Sequence, residues 1–170
     1  MLRERLLTME SDLSTVPSPY TMSIREFKAV VDTYGKEAPK YLTYIYLMRD
    51  PRSRYAAYEE SQRRKEVSQA VFGKALKEEK VLVDAMTEYA RNMSPAALLL
   101  EAAIGSVAKL RTWFDNVDVE DEGYDALKHV RILESMGKTV HGLKELERAV
   151  EQESETSTTY GNVTVSKYNE

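Results

Sequence analysis

The 170-residue chain contains no cysteine, which removes disulfides, thiol nucleophiles and thiolate metal sites together. Zinc-ribbon and redox readings are closed, and the composition fits a protein made in a reducing cytosol. Histidine, the residue type whose ordinary pKa lies nearest neutrality, is scarce: the chain has His129 and His141. They read as separate surface or half-buried residues, because no HExxH or ExxH spacing supports a metal site. The seven glycines are scattered singly, so no GxxxxGK[ST] or GxGxxG loop exists to cradle a phosphate. Ser106 lies inside an apolar helical pattern, and no GxSxG context surrounds any serine. We therefore expect neither enzymatic activity nor a cofactor.

Long hydrophobic runs are absent as well. The most apolar stretch, YLTYIYLM at 41–48, ends far short of the roughly 18 to 20 residues that span a bilayer, so no membrane partner is expected. At the N-terminus, Arg3, Glu4 and Arg5 interrupt Leu2, Leu6 and Leu7, which is not the uninterrupted core of a signal peptide. A net charge of -4 argues against coating nucleic acid with the whole surface, because that binding neutralises phosphates with Lys and Arg.

What is present is 42% apolar residues, enough for one sizeable core, and eleven tyrosines. The pattern predicts an all-α, compact helical bundle with short connections. It divides into an extended N-terminal arm (1–22), a helical domain (23–150) and a C-terminal tail (151–170). Pro17 and Pro19 keep the arm extended. Ser23 and Glu26 have the spacing of a capping box for a helix from Ile24, with Phe27, Val30, Val31 and Tyr34 on one face and Gly35 as its stop. A second helix, reaching Met48, is apolar nearly all round and belongs in a core or an interface. A charged helix follows the Asp50-Pro51 turn, beginning near Ser53 or Glu59 and stopping at Gly73. The next, at about 77–92, carries Leu82, Met86, Tyr89 and Met93.

Ser94-Pro95 supplies a cap and a first-turn proline for the most regular helix, with Leu100, Ala103, Ile104, Val107, Leu110, Trp113 and Phe114 at helical spacing. Beyond the acidic stretch DNVDVEDEG come a helix with Tyr124, Leu127, Val130 and Leu133 on its core face, and after Gly137 a last one with Val140, Leu143, Leu146 and Val150. The acidic stretch echoes half of a calcium loop, but His129 stands where the bidentate Glu belongs, so it reads as a solvated connection. The tail loses the helical period. Val163 and Val165 alternate with polar residues, so it stays extended or adds a β-strand to a neighbour's edge. Tyr20, Tyr160, Val163, Val165 and Tyr168 are the candidate arm and tail contacts.

The segment YIYLMRDPRSRYAAYEESQRRKEV joins a tyrosine-rich apolar run to a basic corner. Arg49, Arg52, Arg54, Arg63, Arg64 and Lys65 are either a solvated face partnered by Glu59, Glu60 and Glu66 or a contact site. Arginines beside tyrosines suit a carboxylate-rich protein surface, whereas the aromatics are too interleaved with Ile45, Leu47 and Met48 to form a base-stacking platform. Arg49, Asp50, Arg52, Ser53, Arg54, Tyr55, Arg63 and Arg64 are the candidate protein contacts.

The same segment, with its D-x-R-S-x-Y turn at Asp50, Arg52, Ser53 and Tyr55, resembles small helical virion proteins of tailed bacteriophages, including the crAss-like group. It departs from them at Arg54, where that turn has a small or proline-like residue. The resemblance covers residues 41–71 and implies a non-enzymatic structural component of the virion, made in the host cytoplasm. It would form a neck or head-tail connector ring, a homo-oligomer linking portal and tail. Its partners would be other copies of itself, the portal and neighbouring neck or tail proteins, with DNA passing through unbound. The competing class is a DNA-binding packaging factor similar to a small terminase subunit, using the region from Arg52 to Lys65 on duplex DNA.

Overall fold

A computed structural model describes residues 5–10, 14–117 and 125–163, with side chains to residue 152. The expected all-α character holds: the described residues are mostly helical and their one sheet has two strands. Those strands, β1 (Leu7–Met9) and β2 (Thr15–Pro17), are antiparallel, with Thr8 opposite Val16. The region expected to be an extended arm is thus a hairpin docked on the body. Leu6 and Leu7 are buried in the core, and the Thr21 hydroxyl donates to the Leu6 carbonyl. Burial of two leucines supplies the driving force that a three-residue strand pair lacks.

Helix α1 (Arg25–Tyr34) buries Phe27 and Val30 and stops at Gly35, whose φ of 51° favours glycine. The expected capping box does not form. Ile24 takes the N-cap position, and the Ser23 hydroxyl instead donates 2.6 Å to the Tyr20 carbonyl of the preceding 3-10 turn. Helix α2 (Ala38–Arg49) is the central element. Every residue from Leu42 to Met48 is buried, because α1, the β-hairpin and the two helices that follow, at 60–72 and 80–91, surround it. Tyr34 stacks on Tyr41 with ring centroids 3.5 Å apart, and Tyr41 and Tyr44 both pack on Phe72 of α3 (Glu60–Phe72). The tyrosine-rich run is therefore scaffold. Burial, and next the charge of Glu79, push the Tyr34 phenol up to about 12.

Helix α3 ends at Gly73 in the left-handed conformation. Helix α4 (Lys80–Arg91) buries Leu82, Ala85, Met86 and Tyr89, with Met93 buried just beyond, as its spacing requires. The chain then turns through 106° into α5 (Pro95–Asp115). The Ser94 hydroxyl accepts from the Ala97 amide at 3.1 Å. We expect Ser94→Ala to lower unfolding free energy by about 1 kcal/mol, read from urea titration.

Helix α6 (Ala126–Val163) replaces the two helices expected around Gly137 and continues as helix across much of the segment expected to be tail. One mid-helix glycine costs only about 1 kcal/mol, which packing on α5 offsets. His129 near the start of α6 packs on Trp113 and Phe114 near the end of α5, while Val150 joins the same core as Ala97 and Leu100. The two helices are therefore antiparallel. They form a hairpin rooted in the body by the first turns of α5 and by Leu143, Leu146 and Val150 of α6.

Leu143, Leu146 and Val150 face the core as their spacing predicts, but the face expected to be core over the first half of α6, together with Val140, is open. Leu127 is 73% exposed, and Val130 and Leu133 about half. Its partly buried residues are His129, Ile132, Met136, Thr139, Leu143, Leu146 and Ala149. Helix α6 thus carries two apolar rows, and α5 covers one. No single described helix is long and apolar enough to cross a membrane.

Candidate contact site

The Asp50-Pro51-Arg52-Ser53 turn follows α2, and its first task is local. Helix α2 leaves carbonyls at its C-terminus that need donors. The Ser53 hydroxyl donates to the Leu47 carbonyl at 2.8 Å, and Arg63 of α3 reaches back with Nε to the same oxygen at 2.9 Å and with Nη2 to the Asp50 carbonyl at 3.1 Å. A guanidinium here also complements the negative end of the helix dipole.

The Asp50 carboxylate is the hub, only 2% exposed. Arg52 grips it with Nε at 2.8 Å and Nη2 at 2.6 Å, the Arg52 amide donates at 2.9 Å, and the Tyr89 hydroxyl of α4 donates at 2.6 Å. Burial alone would raise the carboxyl pKa, but the hydrogen bonds and charge of Arg52, with Tyr89, outweigh it and hold it below the usual carboxylate range. Tyr89 is pushed the other way, by burial first and then by the adjacent Asp50 charge. A depressed folded-state pKa stabilises the fold above the ordinary carboxylate pKa, and the contribution is lost as pH falls through the folded value. We expect the stability difference between the wild-type chain and Asp50→Asn to be full at neutral pH and to shrink below about pH 4, measured by urea unfolding across pH.

The sequence-derived contact residues therefore separate into two groups. Asp50, Ser53 and Arg63 are buried and Arg52 is mostly so; they tie α2, α3 and α4 together and present little surface. Arg49 pairs with Glu60 at 3.6 Å, and Arg64 with Glu60 and with Glu78, which also accepts from the Tyr44 hydroxyl. Arg54 is exposed, its guanidinium 4.9 Å from the ring centre of half-buried Tyr55. Tyr20 is exposed at the hairpin end of the body. Tyr160 and Val163 lie where only the backbone is described, and Val165 and Tyr168 lie outside the described residues.

No protein-family model matches the chain, and neither does any curated protein or solved structure. Function must be read from surfaces. No group of His, Asp and Glu among the described residues is arranged to hold a metal, and the calcium-loop echo falls almost wholly outside them.

Two surface features were not singled out in the sequence. One is the open apolar row on the helical hairpin: Leu127, Val130, Leu133 and Val140 on α6, with Leu98, Leu99 and Trp113 exposed on α5. Its signal was present in the spacing, but spacing does not say which of two rows a neighbouring helix covers. The other is an open cavity of about 460 Å³ beside the Asp50 turn, bounded by Met9, Tyr46, Leu47 and Val71, with Lys40, Arg52 and Arg54 as its charged lining. Residues from four separate elements form it, so only the fold reveals it.

Proposed function

We propose that this chain is a non-enzymatic assembly protein, a virion component that forms a homo-oligomeric ring in the neck or head-tail connector of a tailed phage. The observation that carries the assembly part is the unpartnered apolar row on α5 and α6. Seven large apolar side chains stand between 42% and 73% exposed on one hairpin, and apolar surface left open in this number marks association sites. The resemblance of residues 41–71 to phage structural proteins supplies the setting, including portal and neighbouring neck or tail proteins as further partners.

The packaging-factor alternative is weakened by the placement of its key residues. Arg52 and Arg63 are committed to Asp50 and to the end of α2, and Arg64 to Glu60 and Glu78, so the cations left for phosphates are few. Negative-stain images of the purified full chain are expected to show closed rings. Duplex DNA titrated at physiological salt is expected to leave the chain unbound. Duplex binding with a steep log-log salt slope, without rings, would establish the packaging factor instead.

A further inference from the structure

We propose that the cavity beside Arg52 seats the acidic connection between α5 and α6 of a second copy of this chain. This rests on the self-assembly reading above and specifies which surfaces of neighbouring subunits meet.

The cavity carries an excess of positive charge. Lys40, Arg52 and Arg54 line it, and no lining residue is acidic. Lys40 has an exposed partner, Glu37, at 3.5 Å, which offsets little of its charge, and Arg54 makes no ion pair among the described residues. Behind the wall, Arg5 and Arg52 share one carboxylate, Asp50, and both burial and the charge of Arg52 lower the pKa of Arg5. Arg5 Nε and Arg52 Nη1 are buried without a hydrogen-bond partner. The positive charge they carry, only partly balanced by Asp50, attracts an anion to the cavity in front of it. The remaining walls, Met9, Leu47 and Val71, suit small apolar side chains between the charges.

The sequence holds one segment with complementary chemistry. Residues 115–125, DNVDVEDEGYD, contain Asp115, Asp118, Glu120, Asp121, Glu122 and Asp125, with no Lys or Arg, and Val117 and Val119 lie between the acids. Asp115 and Asp125, at the two edges of the connection, are exposed.

Geometry makes the contact intermolecular. Ala97 and Leu100, in the first turns of α5, are buried in the core of the body, so that end of the helix is its root. From 101 to 115 the helix runs 14 residues, so Asp115 lies about 21 Å from that root at about 1.5 Å per residue. None of Asp115, Val117 and Asp125, the described acidic and apolar residues at the edges of the connection, lines the chain's own cavity. A tip on one copy meeting a cavity on the next is a heterologous contact, the kind that closes into rings.

The test uses the full chain and a fluorescein-labelled peptide of residues 113–126. Saturable binding at low salt is expected, weakened by added salt, and lowered about ten-fold or more by Lys40→Glu with Arg54→Glu. Both side chains are exposed, so circular dichroism and melting temperature of that variant should match wild type. In sedimentation velocity, the cavity variant and a connection variant (Asp118→Lys, Glu120→Lys, Glu122→Lys) are each expected to lose assembly, and their equimolar mixture to associate. Wild-type rings that persist in both variants overturn the proposed contact while leaving self-assembly standing. A wild-type chain that stays monomeric yet binds the peptide overturns self-assembly and leaves the seat. Absent peptide binding, or equal binding by the charge-reversed chain, overturns the seat, as does a peptide displaced only by duplex DNA.

Discussion

Asp50→Ala is expected to lower the unfolding free energy by about 3–5 kcal/mol, the cost of breaking a buried ion pair from one side. The carboxylate accepts from three donors of Arg52 and from Tyr89, on an element 39 residues further along the chain. Removing it leaves the Arg52 guanidinium and the Tyr89 hydroxyl without their acceptor in a site that is closed to solvent at Asp50. Arg63 keeps its bonds to the Leu47 and Asp50 carbonyls, so the end of α2 stays capped and the loss is confined to the hub. Tyr89→Phe deletes one hydrogen bond to a charged group and should cost less, about 1.5–3 kcal/mol. Urea unfolding at neutral pH measures both. An unchanged midpoint in Asp50→Ala would show that the turn is a surface feature after all.

The second large effect concerns association. Leu127→Glu with Leu133→Glu is expected to weaken self-association by about a hundredfold or more, because each leucine buried at an interface contributes about 1.5–3 kcal/mol and each new carboxylate must be desolvated. Both leucines are at least half exposed within a single chain, so the melting temperature of the isolated subunit should barely move. This separates an interface residue from a core one: a core pair would lose stability and association together. Analytical ultracentrifugation paired with thermal melts reads both quantities.

The sequence was most legible where backbone chemistry acts locally. Gly35 and Gly73 stop α1 and α3 because they adopt positive φ, and Ser94-Pro95 starts α5 with a cap whose partner is three residues away. Helix α2 was legible as core because an all-round apolar helix has no solvated face to offer. Three features depended on tertiary partners and were not legible. The β-hairpin forms because Leu6 and Leu7 find the body, which two three-residue strands do not announce. Helix α6 runs through Gly137 because α5 supports it, and its outer row was indistinguishable by period from its inner one. The candidate contact residues were half misplaced for the same reason: charged side chains read as surface unless a distant donor such as Tyr89 compensates their burial. The apolar row on the hairpin, overlooked as surface, then carries the functional reading.

The proposed function requires that this chain assemble with itself. Sedimentation velocity of the full chain over a series of rising concentrations tests it most directly. A discrete closed species several times the 19.4 kDa subunit mass, dissolved by Leu127→Glu with Leu133→Glu, is the predicted result. A single 19.4 kDa species at every concentration, unchanged by those substitutions, would contradict it.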